Sequence, residues 1–227
     1  MATVEYQPKV ANPLLKAYLT RLQAHPLQTK QQTSALASAS GELIATRLSG
    51  VPPAKNTFQL KGVAGDVLKR LESVGISERV ILMGLYGYLV AAPLGHILTG
   101  ALQRAFAGRT TARDKILQIV AANLITSPIN NAVYIASMAF INGARTKDQI
   151  VKTVKASFGK VMVTTWITSP LAIAYAQNYL QPELWEPFFV MLKFLMGTYF
   201  NTLAKKKQAE LARQERLRKG KEAGRKK

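Results

Sequence analysis

Two long stretches without a formal charge constrain this chain more than any other feature. Val80 to Gln103 carries no Asp, Glu, Lys or Arg and is bounded by Arg79 and Arg104. Ile116 to Asn142 is equally free of charge and lies between Lys115 and Arg145. A helix crosses the hydrocarbon core of a bilayer with roughly 20 mostly apolar residues, and soluble core helices are rarely so long and so uncharged. Mean hydropathy is only +0.03, because charge is segregated into connections and a C-terminal tail. Class is therefore read from local runs.

Further spans are less plain. Val161 to Leu180 is uncharged, with Trp166, Tyr175 and Tyr179 along it, and Gln181-Pro182-Glu183 reads as a turn. Trp185 to Ala204 is apolar apart from Glu186 and Lys193, so the two halves form a hairpin or one crosses while the other lies obliquely. Trp and Tyr near their ends suit membrane interfaces. Gln31 to Leu48 is rich in Ala and Ser and contains Glu42 and Arg47; it reads equally as a soluble amphipathic helix or a span. Upstream, Asn12-Pro13 starts a short helix with Leu14, Leu15, Tyr18, Leu19 and Leu22 on one stripe, and Pro26 suits the first position of the next. Gly50 to Gly75, with Pro52-Pro53, is a connecting segment. Arg104 to Lys115 is a tight basic connection, and Arg145 to Lys160 begins a further amphipathic helix.

The expected fold is an all-α polytopic membrane bundle with four nominal transmembrane helices, or five long helices. Residues 1–25 form an N-terminal amphipathic segment. The bundle occupies 26–204, divided at about 26–49, 79–104, 115–142 and 160–204. Residues 205–227 form a basic, helical cytosolic tail, with Lys206/Glu210 and Glu215/Lys219 spaced to pair.

Small residues recur four apart at Ala37, Gly41 and Ala45, and at Gly87, Ala91, Gly95 and Thr99. Such stripes let membrane helices approach closely, either within one chain or between copies. Pro93 and Pro128 remove backbone donors and should distort their helices. Ionisable residues inside spans are costly and often functional; Glu42, His96 and Lys193 qualify. The plainer alternative is a satisfied pair, or a snorkelling Lys193. His96, Asn123, Asn130 and Asn131 form a candidate polar lining, unless the amides simply bond across helices.

Chemistry is poorly represented. There is no cysteine, and the two histidines, His25 and His96, lack metal-ligand spacing. No phosphate loop, nucleophile elbow or paired-carboxylate motif occurs. An enzyme is not expected, nor a cofactor or metal. The net charge of +19 suggests nucleic acid or an anionic membrane surface. Lys205 to Lys227 holds eleven basic and three acidic residues without an interleaved aromatic. It follows an apolar helix directly, which favours a juxtamembrane segment over nucleic-acid binding. The positive-inside rule places it in the cytosol. Met1 to Val10 has no apolar core of a secretory signal, and Arg225-Lys226-Lys227 is not the peroxisomal matrix tripeptide.

The order of motifs resembles that of the Mpv-type family of small peroxisomal and mitochondrial membrane proteins, which includes the peroxisomal membrane protein of PMP type. The resemblance begins with Tyr18, Leu22, His25-Pro26, Thr29 and Gly41-Glu42. It continues through Glu78-Arg79, Gly84 and Ala92-Pro93-Leu94-Gly95-His96, then Lys115, Ser127-Pro128 and Asn130. Trp166, Pro170, Asn178-Tyr179, Pro182 and Tyr199 are similar to the family's C-terminal signature. Asn123 stands where Gln is usual, Glu186 replaces an expected Arg, and Met196 replaces a Trp. The Gly50–Gly75 connection and the tail are longer than usual and similar to those of fungal members.

The resemblance implies four membrane helices, both termini cytosolic in peroxisomal members, and a peroxisomal membrane location, with the mitochondrial inner membrane as the alternative. It implies a pore for small solutes, a self-assembling organiser of peroxisome-derived bodies, or a mitochondrial solute-homeostasis role. Implied partners are membrane lipid, further copies of the chain and a peroxisomal membrane-protein import receptor.

Overall fold

The computed structural model describes residues 12–51, 63–73, 75–109, 111–181 and 184–224. The expectations for Met1–Val10, Pro52-Pro53, Pro182-Glu183 and Arg225-Lys226-Lys227 lie outside these residues. Among the described residues there are seven helices and no strand. They are α1 (Pro13–Ala24), α2 (Pro26–Ser49), α3 (Val63–Ser73), α4 (Glu78–Ala105), α5 (residues 112–141), α6 (Lys147–Tyr179) and α7 (Trp185–Gly224).

The helix starts follow local chemistry. The Asn12 side chain accepts from the Leu14 and Leu15 amides at 2.9 and 3.3 Å, capping α1. Pro13 and Pro26 occupy first positions, where a missing N–H costs nothing. Thr29 fastens the α1–α2 corner: its hydroxyl lies 2.8 Å from the His25 carbonyl and 3.1 Å from that of Arg21. Thr146 and Gln149 form a reciprocal capping box at the start of α6.

Two segment boundaries depart from the sequence reading. The Gly50–Gly75 connection contains a helix, α3. Residues 147–160 are not separate but continue without a break into α6, a single helix of 33 residues. Segment 160–204 is divided between α6 and α7, and α7 extends uninterrupted into the basic tail, for 40 residues in all. A charged, mutually pairable surface continues a helix well past the apolar stretch that started it.

α2 lies between α4 and α7, while α5 packs along α6; α4 joins the two groups by touching α5. The buried apolar cluster is small: Met83, Met138 and Ile141, flanked by Leu82, Tyr86 and Tyr134. α4 and α5 are long and apolar enough to cross a membrane, yet only 22% of the most apolar window of each is buried. A soluble core helix would be mostly covered. The apolar side chains point outward, as with Leu89 and Ile97 on α4, Leu124 and Ile125 on α5, Ile167 and Leu171 on α6, and Met191 and Leu195 on α7. Exposure on this scale marks a surface that meets lipid.

Both prolines in the apolar stretches are preceded by a widened turn. Residues Gly87–Ala91 of α4 and Ala122–Thr126 of α5 are π-helical, each ending just before the turn that holds Pro93 or Pro128. In α5 the Ser127 amide bonds the Ala122 carbonyl, so the next carbonyl, that of Asn123, has Pro128 as its i+5 partner and no backbone donor. The Trp166 indole of α6 donates to it instead, at 3.1 Å. A neighbouring helix thus supplies what proline removed.

Candidate functional site

The most concentrated polar chemistry surrounds Glu42, which is fully buried. Its helix is Ala- and Ser-rich, and the small side chains allow α4 and α7 to close over it. Arg79, at the start of α4, brings Nε to 2.7 Å from Glu42 Oε1. Lys205, near the tail end of α7, brings Nζ to 2.6 Å from the same oxygen. The ammonium also donates to the Thr46 hydroxyl. The Asn201 amide lies 3.5 Å from Glu42 Oε2, and the Tyr134 hydroxyl reaches Asn201 Oδ1 at 3.4 Å. On the outer side, Arg79 Nη1 donates to Asn142 Oδ1. One carboxylate therefore ties together α2, α4, α5 and α7.

Breaking a buried ion pair by removing one partner costs about 3–5 kcal/mol, because the survivor is stranded. The charged groups of this cluster are paired with one another. Their chemistry is that of a clasp between helices.

Phe194, Thr198, Asn201 and Lys205 form one stripe of α7 against α2. A Cβ on Gly41 would lie 3.0 Å from Thr198 Oγ1 and 3.7 Å from the Phe194 ring. Ala45 is fully buried and Ala37 partly so. On the opposite side of α2, a Cβ on Gly87 would clash with the Ser34 carbonyl oxygen and come within 2.9 Å of Ala35 Cα. Gly87 therefore packs inside the chain. Ala91 is half-buried, and nothing lies within 4 Å of the position a Gly95 Cβ would take. The stripe is divided between an inner and an outer part.

The candidate lining residues have separate uses. Asn123 and Asn130 donate to carbonyls of their own helix, Ile119 at 2.9 Å and Thr126 at 3.0 Å. Asn131 crosses to α6, with Nδ2 3.0 Å from Thr165 Oγ1 and 3.3 Å from Met162 Sδ. His96 is half-buried on α4. Of the ionisable candidates, Glu42 is at the centre of the clasp, while Lys193 sits on the outer surface of α7. Among motif residues, His25 turns the chain between α1 and α2, Pro93 and Pro128 follow the widened turns, and Pro170 faces outward from α6.

Lys205 and Asn201 were hidden in the sequence. Lys205 looks like the first residue of a solvated tail, and its partner Thr46 is 159 positions away. The available signal was the spacing of four, three and four from Phe194 to Lys205, which continues one helix face past the apolar stretch.

Residues 139–201 match the Mpv17/PMP22 family. Woronin body membrane protein wscA of Aspergillus fumigatus is 49% identical over 199 residues, covering 88% of this chain and 80% of that protein. The chain belongs to the Mpv17/PMP22 family. Woronin sorting complex protein of Neurospora crassa is 41% identical over 86% of the chain, which spans 58% of that longer protein. Peroxisomal membrane protein PMP22 of Arabidopsis thaliana is 21% identical, covering 88% of the chain and 94% of the plant protein. No solved structure matches. These relatives place the present Mpv17/PMP22 protein in the peroxisomal membrane and among the fungal, peroxisome-related members of the family. The Glu42–Arg79 pair joins two of the stretches that carried the resemblance, Gly41-Glu42 and Glu78-Arg79.

Proposed function

We propose that this protein is a non-enzymatic organiser of the membrane of peroxisome-derived bodies, working by lateral assembly in the bilayer. The observation that carries the reading is the 49% identity to Woronin body membrane protein wscA over nearly the whole chain. The geometry supports it: Glu42, Arg79, Lys205, Asn201 and Asn131 are taken up in contacts between helices, and the outer surface is apolar with open small-residue positions such as Gly95. Copies of the chain are the proposed partners, with lipid around them and a peroxisomal membrane-protein import receptor delivering them. The test is complementation of an Aspergillus fumigatus strain lacking wscA. The tagged chain should concentrate on Woronin bodies and restore them; a uniform distribution over all peroxisomes without restoration would sink the reading.

The rival reading is a pore for small solutes, favoured by similarity to plant PMP22 over 94% of that protein's length. Purified protein in planar bilayers would then conduct above protein-free controls, and His96→Leu or Asn131→Leu would change the conductance.

A further inference from the structure

We propose that the N-terminal helix α1 and the basic tail lie on opposite sides of the membrane, with the tail in the cytosol and α1 facing the matrix. The argument needs only which residues meet. Gly87 lies against Ser34, whereas Arg79 reaches Glu42, so α2 and α4 are antiparallel. Tyr86 meets Tyr134 while Arg79 meets Asn142, so α4 and α5 are antiparallel. Asn123 meets Trp166 while Asn131 meets Met162, so α5 and α6 are antiparallel. Gly41 lies against Phe194 and Thr46 against Lys205, so α2 and α7 run parallel.

Five long helices therefore alternate up and down, and five is an odd number. The ends of α2 and α5, the starts of α4 and α6 and the exit of α7 share one face. The start of α2, with α1 folded on it, belongs to the other, as do the α4–α5 and α6–α7 connections.

α2 is too poor in apolar residues to meet lipid alone, but α4 and α7 cover two of its sides. Its 24 residues span about 36 Å, enough for a bilayer core. Charge then orients the bundle. The face with the tail carries Arg47, Lys69, Arg70, Arg145 and Lys147 besides the basic run of the tail itself, more Lys and Arg than the opposite face, where Lys16, Arg21 and Lys30 lie on α1 and the start of α2 and Arg104, Arg109 and Arg113 lie at the α4–α5 connection. Lys and Arg in short connections mark the cytosolic side. Two cytosolic termini, as implied by the family resemblance, would require an even number of crossings.

The absence of cysteine permits a direct test in the full-length protein. Single cysteines are introduced at the exposed positions Gln23, Ser73, Gln181 and Gln214. Isolated organelles are treated with a polyethylene-glycol maleimide too bulky for a small-solute pore. Ser73→Cys and Gln214→Cys should label in intact organelles, and Gln23→Cys and Gln181→Cys only after detergent. Labelling of Gln23→Cys as fast as Gln214→Cys in intact organelles would overturn the proposal. Labelling of Gln23→Cys with Gln214→Cys protected would overturn the orientation. An N-terminal epitope resisting protease until detergent is added provides a second measurement independent of the substitutions. None of these readouts depends on body formation or conductance.

Discussion

Glu42 shows how a single residue can decide the packing of a bundle with little core. With Glu42→Ala, Arg79 and Lys205 would remain half-desolvated without a counter-charge. Thermal unfolding in detergent should show a loss of about 3–5 kcal/mol. Lys205→Ala should also destabilise, and the double variant should lose less than the sum of the two, since the interaction is shared. Strict additivity would show that the pair does not couple. Gly87 and Gly95 provide a second contrast. Gly87→Leu has no room against the α2 backbone and should disrupt the α2–α4 contact, lowering the yield of folded protein. At Gly95 a Cβ has nothing within 4 Å, so with Gly95→Leu folding should persist while self-association in crosslinking or light scattering falls.

At the scale of elements, α4 and α5 were legible because lipid imposes a length and bars charge; their boundaries lie within a few residues of the uncharged stretches. α2 was ambiguous for a physical reason. Covered by two neighbours, it needs only a narrow apolar strip, with Leu36 and Ile44 turned outward. Its Ala and Ser signal close approach rather than hydrophobicity. The prolines announced distortion, but the form it takes, a π turn with a borrowed indole donor, depends on α6 and could not be read within α5. Trp166→Phe should strand the Asn123 carbonyl and cost about 1–3 kcal/mol. In a Pro128→Ala background, where a backbone donor returns, the same change should cost much less. Equal costs in both backgrounds would refute this role for the indole.

For the molecule as a whole, the prediction is that alkaline carbonate leaves the protein in the membrane pellet. Release into the supernatant would mean that the outward Leu and Ile side chains face something other than lipid. The fold class and the family were readable because both rest on patterns spread along the chain. The clasp was not, because its members are brought together only by the topology: Glu42 and Arg79 belong to recognisable stretches, but Lys205 is disguised by the basic run it begins.

That disguise bears on biogenesis. Lys205, one of the two counter-charges that seal Glu42 inside the bundle, lies 163 residues downstream of it, so α2 can settle beside α7 only after α4, α5 and α6 have been made. Until then the first long helix carries an acid countered by Arg79 alone, on a weakly greasy surface. The clasp therefore closes in two stages, the first when α4 meets α2 and the second when the final helix arrives.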